Sequence, residues 1–182
     1  MRKAAFLILL ATGWRISELQ ACVRDSELCK FTERSSLIIR PHPLFLAKNE
    51  CRKRMSFREI KPLRDEDTDA PSKLCPVAAL RAYLELTETT TSGNLFLTPN
   101  NHEKPMGVQQ LGSHIKTLIT SADPNSKVKV HEVRKYAASH SLAETMVIGD
   151  LVSNFNWSSP AVFYKYYFTQ TETLSKPVSL PI

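Results

Sequence analysis

Four short islands carry the side chains whose types and spacing could do chemistry. In Ala11-Thr12-Gly13-Trp14-Arg15-Ile16-Ser17-Glu18-Leu19, Arg15 and Glu18 stand three residues apart and share one face of a helix. A solvated pair of that kind contributes only about 0.3–0.5 kcal/mol. Here, however, its neighbours are mostly apolar, which places the charges at the edge of a buried helix. In His131-Glu132-Val133-Arg134 the same spacing sets an imidazole beside a guanidinium, a proton-transfer group beside a fork that fits phosphate. Chance surface placement would also produce so short a pattern. Lys48, Arg52, Lys53, Arg54, Arg58 and Lys61 form a cationic edge suited to a nucleic-acid backbone. The same charges would also protect an edge strand from aggregation. Residues 157–168, WSSPAVFYKYYF, hold Trp157 and three tyrosines, Tyr164, Tyr166 and Tyr167. Aromatics at helical spacing are ordinarily core, yet each phenol needs a partner if it is buried.

The elements that must position these islands are mainly helical. The spacing of Phe6, Leu7, Leu10, Trp14 and Leu19 predicts a helix over 3–22, interrupted or tightened at Thr12-Gly13. Residues 35–40 and 55–63 have strand character, and 44–47 reads as extended after Pro41 and Pro43. Together these predict a small antiparallel sheet. Residues 64–72 are an acidic loop. Pro76 opens a helix running to about residue 87, with Val77, Leu80, Tyr83 and Leu84 on its apolar face. Further helices are predicted over 107–122, 130–144, 145–155 and 161–169. From residue 170 the chain is a Ser/Thr/Pro-rich tail. The fold class is therefore mainly α (α+β), a helical core with a small antiparallel β-sheet. Residues 1–169 form one domain and 170–182 the tail.

Composition narrows the function classes. The chain has 182 residues, 42% hydrophobic and 23% charged, which is ordinary for one globular domain and argues against disorder or coiled coil. Its 24 Lys and Arg against 18 acids give a net charge of +6, which favours a polyanionic partner. Cys22, Cys29, Cys51 and Cys75 fit no metal-ligand spacing and read as free thiols of a reducing compartment. The opening Met1-Arg2-Lys3 and apolar 4–11 imitate a secretion signal, but no cleavage site follows and helical spacing continues. The run is also too short to span a membrane. The Asn156-Trp157-Ser158 sequon would matter only in a secreted chain.

In this order the islands resemble the catalytic domain of the tyrosine recombinases, the family of the phage integrases. That family's pattern is T-G-x-R-x-x-E-L, a hairpin Lys, H-x-x-R, then His or Trp with a Tyr nine residues later. Here it is met by Arg15 with Glu18, Lys48, His131 with Arg134, Trp157, and Tyr166. Three stretches, 40–48, 74–84 and 157–167, are most similar to recombinases of DIRS-like and Crypton-like mobile elements. In that branch Cys75 is a helix-start residue.

The resemblance implies a site-specific DNA recombinase that works through a 3′-phosphotyrosine bond without metal, ATP or other cofactor. Tyr166 would be the nucleophile, with Tyr167 its rival one residue on. Arg15 and Arg134 would clamp the phosphate, and Lys48 would protonate the leaving oxygen. His131 would assist the tyrosine or bind phosphate, Trp157 would donate to a phosphate oxygen, and Glu18 would orient the cations. Arg52, Lys53, Arg54 and Arg58 would bind DNA. The partners implied are double-stranded DNA and further copies of the chain on it, with no membrane, in a nucleus or otherwise intracellular. The alternative is a truncated or domesticated DNA-binding remnant. Against the family, the helical DNA-clamping domain is expected to be absent ahead of the Arg15 helix, and a bulky Trp14 stands between the motif's Gly and Arg.

Overall fold

The computed structural model describes residues 1–46, 56–125, 127–144, 147–155, 157 and 159–168. The tail 170–182, Cys51, Lys48 and the cationic Arg52, Lys53 and Arg54 lie outside the described residues.

Helix α1 (Arg2–Thr12) is buried on most of its circumference, through Ala4, Ala5, Leu7, Ile8 and Leu9, so it is the central strut of the domain. Gly13 ends it at φ 62°, the left-handed conformation that favours glycine, and its N–H donates to the Leu9 carbonyl. The expected helix over 3–22 is thus two. Arg15 caps the second, α2 (Ile16–Gln20), in extended conformation. Trp14, at the joint, is 2% exposed and belongs to the core.

Three short antiparallel strands follow in the order β1 (Cys29–Phe31), β2 (Leu37–Ile39) and β3 (Arg58–Ile60). Cys29 faces Ile39, Leu37 faces Ile60, and Ile39 faces Arg58. Cys29, Leu37, Ile39 and Ile60 form the buried side of the sheet. The stretch expected to be extended over 44–47 instead begins in a turn at 43–44.

Helix α3 (Pro76–Leu86) starts where Pro76 predicts, capped by the Cys75 thiol, which accepts from the Ala78 N–H at 3.4 Å. A hairpin of β4 (Leu97–Thr98) and β5 (Asn101–Pro105) follows, then α4 (Val108–Ala122). The described residues close with α5 (Glu132–Glu144), α6 (Ile148–Asn154) and α7 (Pro160–Tyr166).

Two hydrophobic clusters result. The larger joins α1 to α4, the sheet and Val133. The smaller is built on α5 to α7 from Ala137, Ala138, Leu151, Phe155, Trp157 and Phe163. Burial pushes the Cys29 thiol up to about 11 and the Cys22 thiol well above its ordinary range, so neither is a ready nucleophile or ligand. No helix among the described residues is long and apolar enough to cross a membrane.

Candidate active site

The site forms at the seam between the two clusters, where the sequence places charge inside apolar surroundings. Capping α2 fixes Arg15. Its N–H donates to Glu18 Oε2 at 2.7 Å and its Nη1 to Glu18 Oε1 at 2.7 Å. Glu18 is 1% exposed, so this is no surface pair, while the Arg15 side chain keeps 24% of its surface in solvent. A carboxylate this deep must be fully paired, and the second cation comes from the other end of the chain. Arg134 Nη1 lies 3.4 Å from Glu18 Oε2. The same nitrogen donates to the Gly13 carbonyl at 2.7 Å, and Nη2 donates to the Phe155 carbonyl.

Arg134 is held on every side. Its Cζ lies 5.4 Å from the Phe155 ring centre, 5.5 Å from that of Trp157 and 5.9 Å from that of Tyr167. Burial lowers its pKa from the usual guanidinium range, Glu18 opposes that shift, and Arg15 adds to it. The Tyr167 hydroxyl also favours the charged form, as a hydrogen-bonding partner and as a potential phenolate. Among the described residues the Arg134 Nε and the Trp157 Nε1, both buried, have no hydrogen-bond partner, so donors remain at the seam for an incoming oxygen.

Two requirements converge on Gly13. Its positive φ excludes most side chains, and an added Cβ would stand 1.9 Å from a Phe155 ring carbon. Only a residue without a side chain lets the α1 terminus sit against the aromatic cluster, where its carbonyl meets Arg134.

Of the residues singled out from sequence, the structure thus brings together Arg15, Glu18, Arg134 and Trp157. Trp157 stacks between Phe155 and Phe163, at 5.1 and 5.3 Å between ring centres. His131 is exposed in the turn that opens α5. Tyr166, the last residue of α7, is 61% exposed with Lys165 Nζ 5.1 Å from its ring, and it is not brought to the arginines. Tyr167, just past the helix, is half-buried with its ring 4.6 Å from that of Trp157. The reason is local. α7 stops at Tyr166 and the Tyr167 N–H closes it on the Phe163 carbonyl, so the two phenols leave the helix end in different directions.

Arg58 does not lie along an outer cationic edge. Its Nη1 donates to Asn154 Oδ1 at 2.5 Å, beside the Phe155 carbonyl that holds Arg134. Sequence reasoning grouped Arg58 with its basic neighbours. The signal it missed is strand alternation, which puts Arg58 on the same face as the buried Ile60. A cavity of about 270 Å³ beside α3, lined by Pro62, Leu63, Pro71, Val77 and Arg81, lies apart from all these residues.

Residues 1–173 match the family described as the Phage integrase family. The chain is similar in structure to XerA recombinase, with 20% identity, a TM-score of 0.62, and coverage of 95% of this chain and 54% of that one. It is also similar to the Tn1549 transposon integrase in complex with transposon right-end DNA, at 19% identity, TM-score 0.58, and coverage of 94% and 56%. A third likeness is to XerH site-specific recombinase bound to difH substrate, at 13% identity, TM-score 0.62, and coverage of 97% and 45%. The chain therefore spans about half the length of these structures, and the fold is that of the tyrosine recombinase catalytic domain. No curated protein matches the sequence.

Proposed function

We propose that this chain, which belongs to the phage integrase family, is a site-specific DNA recombinase or integrase that breaks and rejoins duplex DNA. The observation that carries the reading is the pairing of Arg15 and Arg134, from opposite ends of the sequence, on the single buried carboxylate of Glu18. Two fixed guanidiniums in one cleft are what a pentacoordinate phosphate needs, because they neutralise charge on its non-bridging oxygens without reorganising.

In the proposed reaction a tyrosine oxygen attacks phosphorus and the bond from phosphorus to the 5′-oxygen breaks. His131 takes or shares the phenolic proton. Lys48 gives a proton to the departing oxygen, a role that rests on the resemblance alone. Trp157 offers its indole N–H to a phosphate oxygen. The phosphodiester becomes a 3′-phosphotyrosine of similar energy, so rejoining is the reverse reaction and the scheme asks for neither metal nor ATP.

Spacing from Trp157 selects Tyr166 as nucleophile. The contact of Tyr167 with Trp157 and Arg134 favours Tyr167, and we assign the role to it. A branch near the DIRS-like and Crypton-like recombinases, assembly of several copies on DNA, phosphate-backbone binding by Arg52, Lys53 and Arg54, and action in a nucleus belong to the same proposal.

The test is covalent trapping on a nicked suicide duplex, read on a denaturing gel. We expect an adduct that survives Tyr166→Phe and is lost in Tyr167→Phe. The opposite pattern returns the nucleophile to Tyr166 and requires α7 to rewind on DNA. Salt-sensitive DNA binding with no adduct would identify a DNA-binding remnant.

A further inference from the structure

We propose that Arg58 is a third guanidinium of the phosphate-binding cleft, gripping the same phosphate group as Arg15 and Arg134. The proposal deepens the recombinase reading and depends on it for the identity of the anion.

Strand β3 alternates with Glu59 exposed and Ile60 buried, so Arg58 shares the inward face with Ile60. It is also paired across the sheet with the buried Ile39. An arginine on the inner face of a sheet needs a charge or strong acceptors to offset its desolvation. Among the described residues Arg58 instead meets a neutral amide, Asn154 Oδ1 at 2.5 Å. Asn154 immediately precedes Phe155, whose carbonyl takes Arg134. Two guanidiniums are therefore held by consecutive residues at the C-terminal end of α6, where the helix dipole favours cations. Arg15 shares the Glu18 carboxylate with Arg134.

Burial first, then repulsion from Arg134, bring the Arg58 pKa down to about 10, with Glu18 opposing both. Among the described residues, three guanidiniums thus share the field of one carboxylate. That arrangement is unfavourable in the empty protein and is relieved by an anion entering between them. Unbalanced, preorganised charge of this sort is the mark of a ligand site rather than of a structural ion pair.

The competing explanation is a clasp that only ties β3 to α6. Calorimetric titration of inorganic phosphate into the full chain separates the two. We expect Arg58→Gln to weaken phosphate binding about tenfold, comparably to Arg15→Gln, and Arg58→Lys to weaken it about threefold, with unfolding temperatures recorded for each. Arg58→Lys carries the test if the glutamine variant does not fold. Phosphate binding by Arg58→Gln equal to wild type, or no binding by wild type at millimolar phosphate, overturns the proposal. In the trapping assay, Arg58→Gln should slow adduct formation about a hundredfold on a phosphodiester. On a neutral methylphosphonate at the scissile position it should match wild type. Equal losses on both linkages overturn the proposal in favour of the clasp. Arg58-dependent phosphate binding without any wild-type adduct would leave the anion site standing and remove the recombinase reading.

Discussion

The two hydrophobic clusters are built on different principles. The larger is mostly aliphatic: Ile8, Leu9, Leu19, Leu37, Leu80, Leu95 and Leu111 fill it, around the few rings of Trp14, Tyr83 and Phe96. The charge that enters there, Glu18, sits at its edge beside the second cluster. The smaller cluster is aromatic, with Trp157 stacked against Phe155, Phe163 and Tyr167, and it encloses the cation of Arg134. Interdigitated aliphatic side chains close on themselves. Stacked rings around a guanidinium need that guanidinium, and it is anchored on the Gly13 carbonyl of the other region. One region is a scaffold. The other is a cap whose packing and whose chemistry use the same side chain.

The sharpest way to break this asymmetry is Arg134→Met. It abandons the Gly13 and Phe155 carbonyls and leaves Glu18 with Arg15 alone. We expect a loss of about 3–5 kcal/mol in denaturant unfolding. Hydrogen exchange should show α5 to α7 opening while α1 and α3 stay protected. Gly13→Ala should cost about 2–4 kcal/mol, from the left-handed backbone and from displacing the Phe155 ring. Adding Phe155→Leu should recover part of that cost, because the two residues are in contact and their effects are not additive. Full additivity would mean the ring moves freely and the seam is loose.

The smallest effect sharpens the comparison from the scaffold side. Folded-state thiol pKa values at Cys22 and Cys29 are raised, the latter from 9.0 to about 11. Between those values the unfolded chain releases protons that the folded chain keeps, so stability falls as pH rises from 9 towards 11. The slope should be about 1.4 kcal/mol per pH unit for each thiol. Unfolding midpoints measured across that range should fall about half as steeply in Cys29→Ala, where of these two thiols Cys22 alone remains. An unchanged slope would place the alkaline sensitivity elsewhere.

Legibility in the sequence followed the strength of periodic signals. α3 and α4 announce themselves by long apolar stripes and by Pro76, and Gly13 marks the break after α1. β1 escaped because three residues, Cys-Lys-Phe, carry no readable alternation. The β4–β5 hairpin escaped because the residues of β5 are exposed throughout. At the site, Arg15, Glu18 and Arg134 were legible as spacings, but that one carboxylate serves both arginines is a tertiary fact. Tyr167 and Arg58 are where the structure adds most to the sequence reading, for a shared reason. Each lies at or near the end of a short element, where a one-residue difference in boundary decides which way a side chain faces.

The double duty of Arg134 has a consequence for how such a protein would decay. A gene copy released from selection on strand exchange, yet still selected to fold, would retain Arg134, Glu18 and Gly13, because the aromatic cap collapses without them. Arg15, partly in solvent, would drift first. Erosion would therefore begin at the mouth of the cleft and reach its floor last. A remnant of that kind would look intact by its most deeply buried motif long after its chemistry had gone.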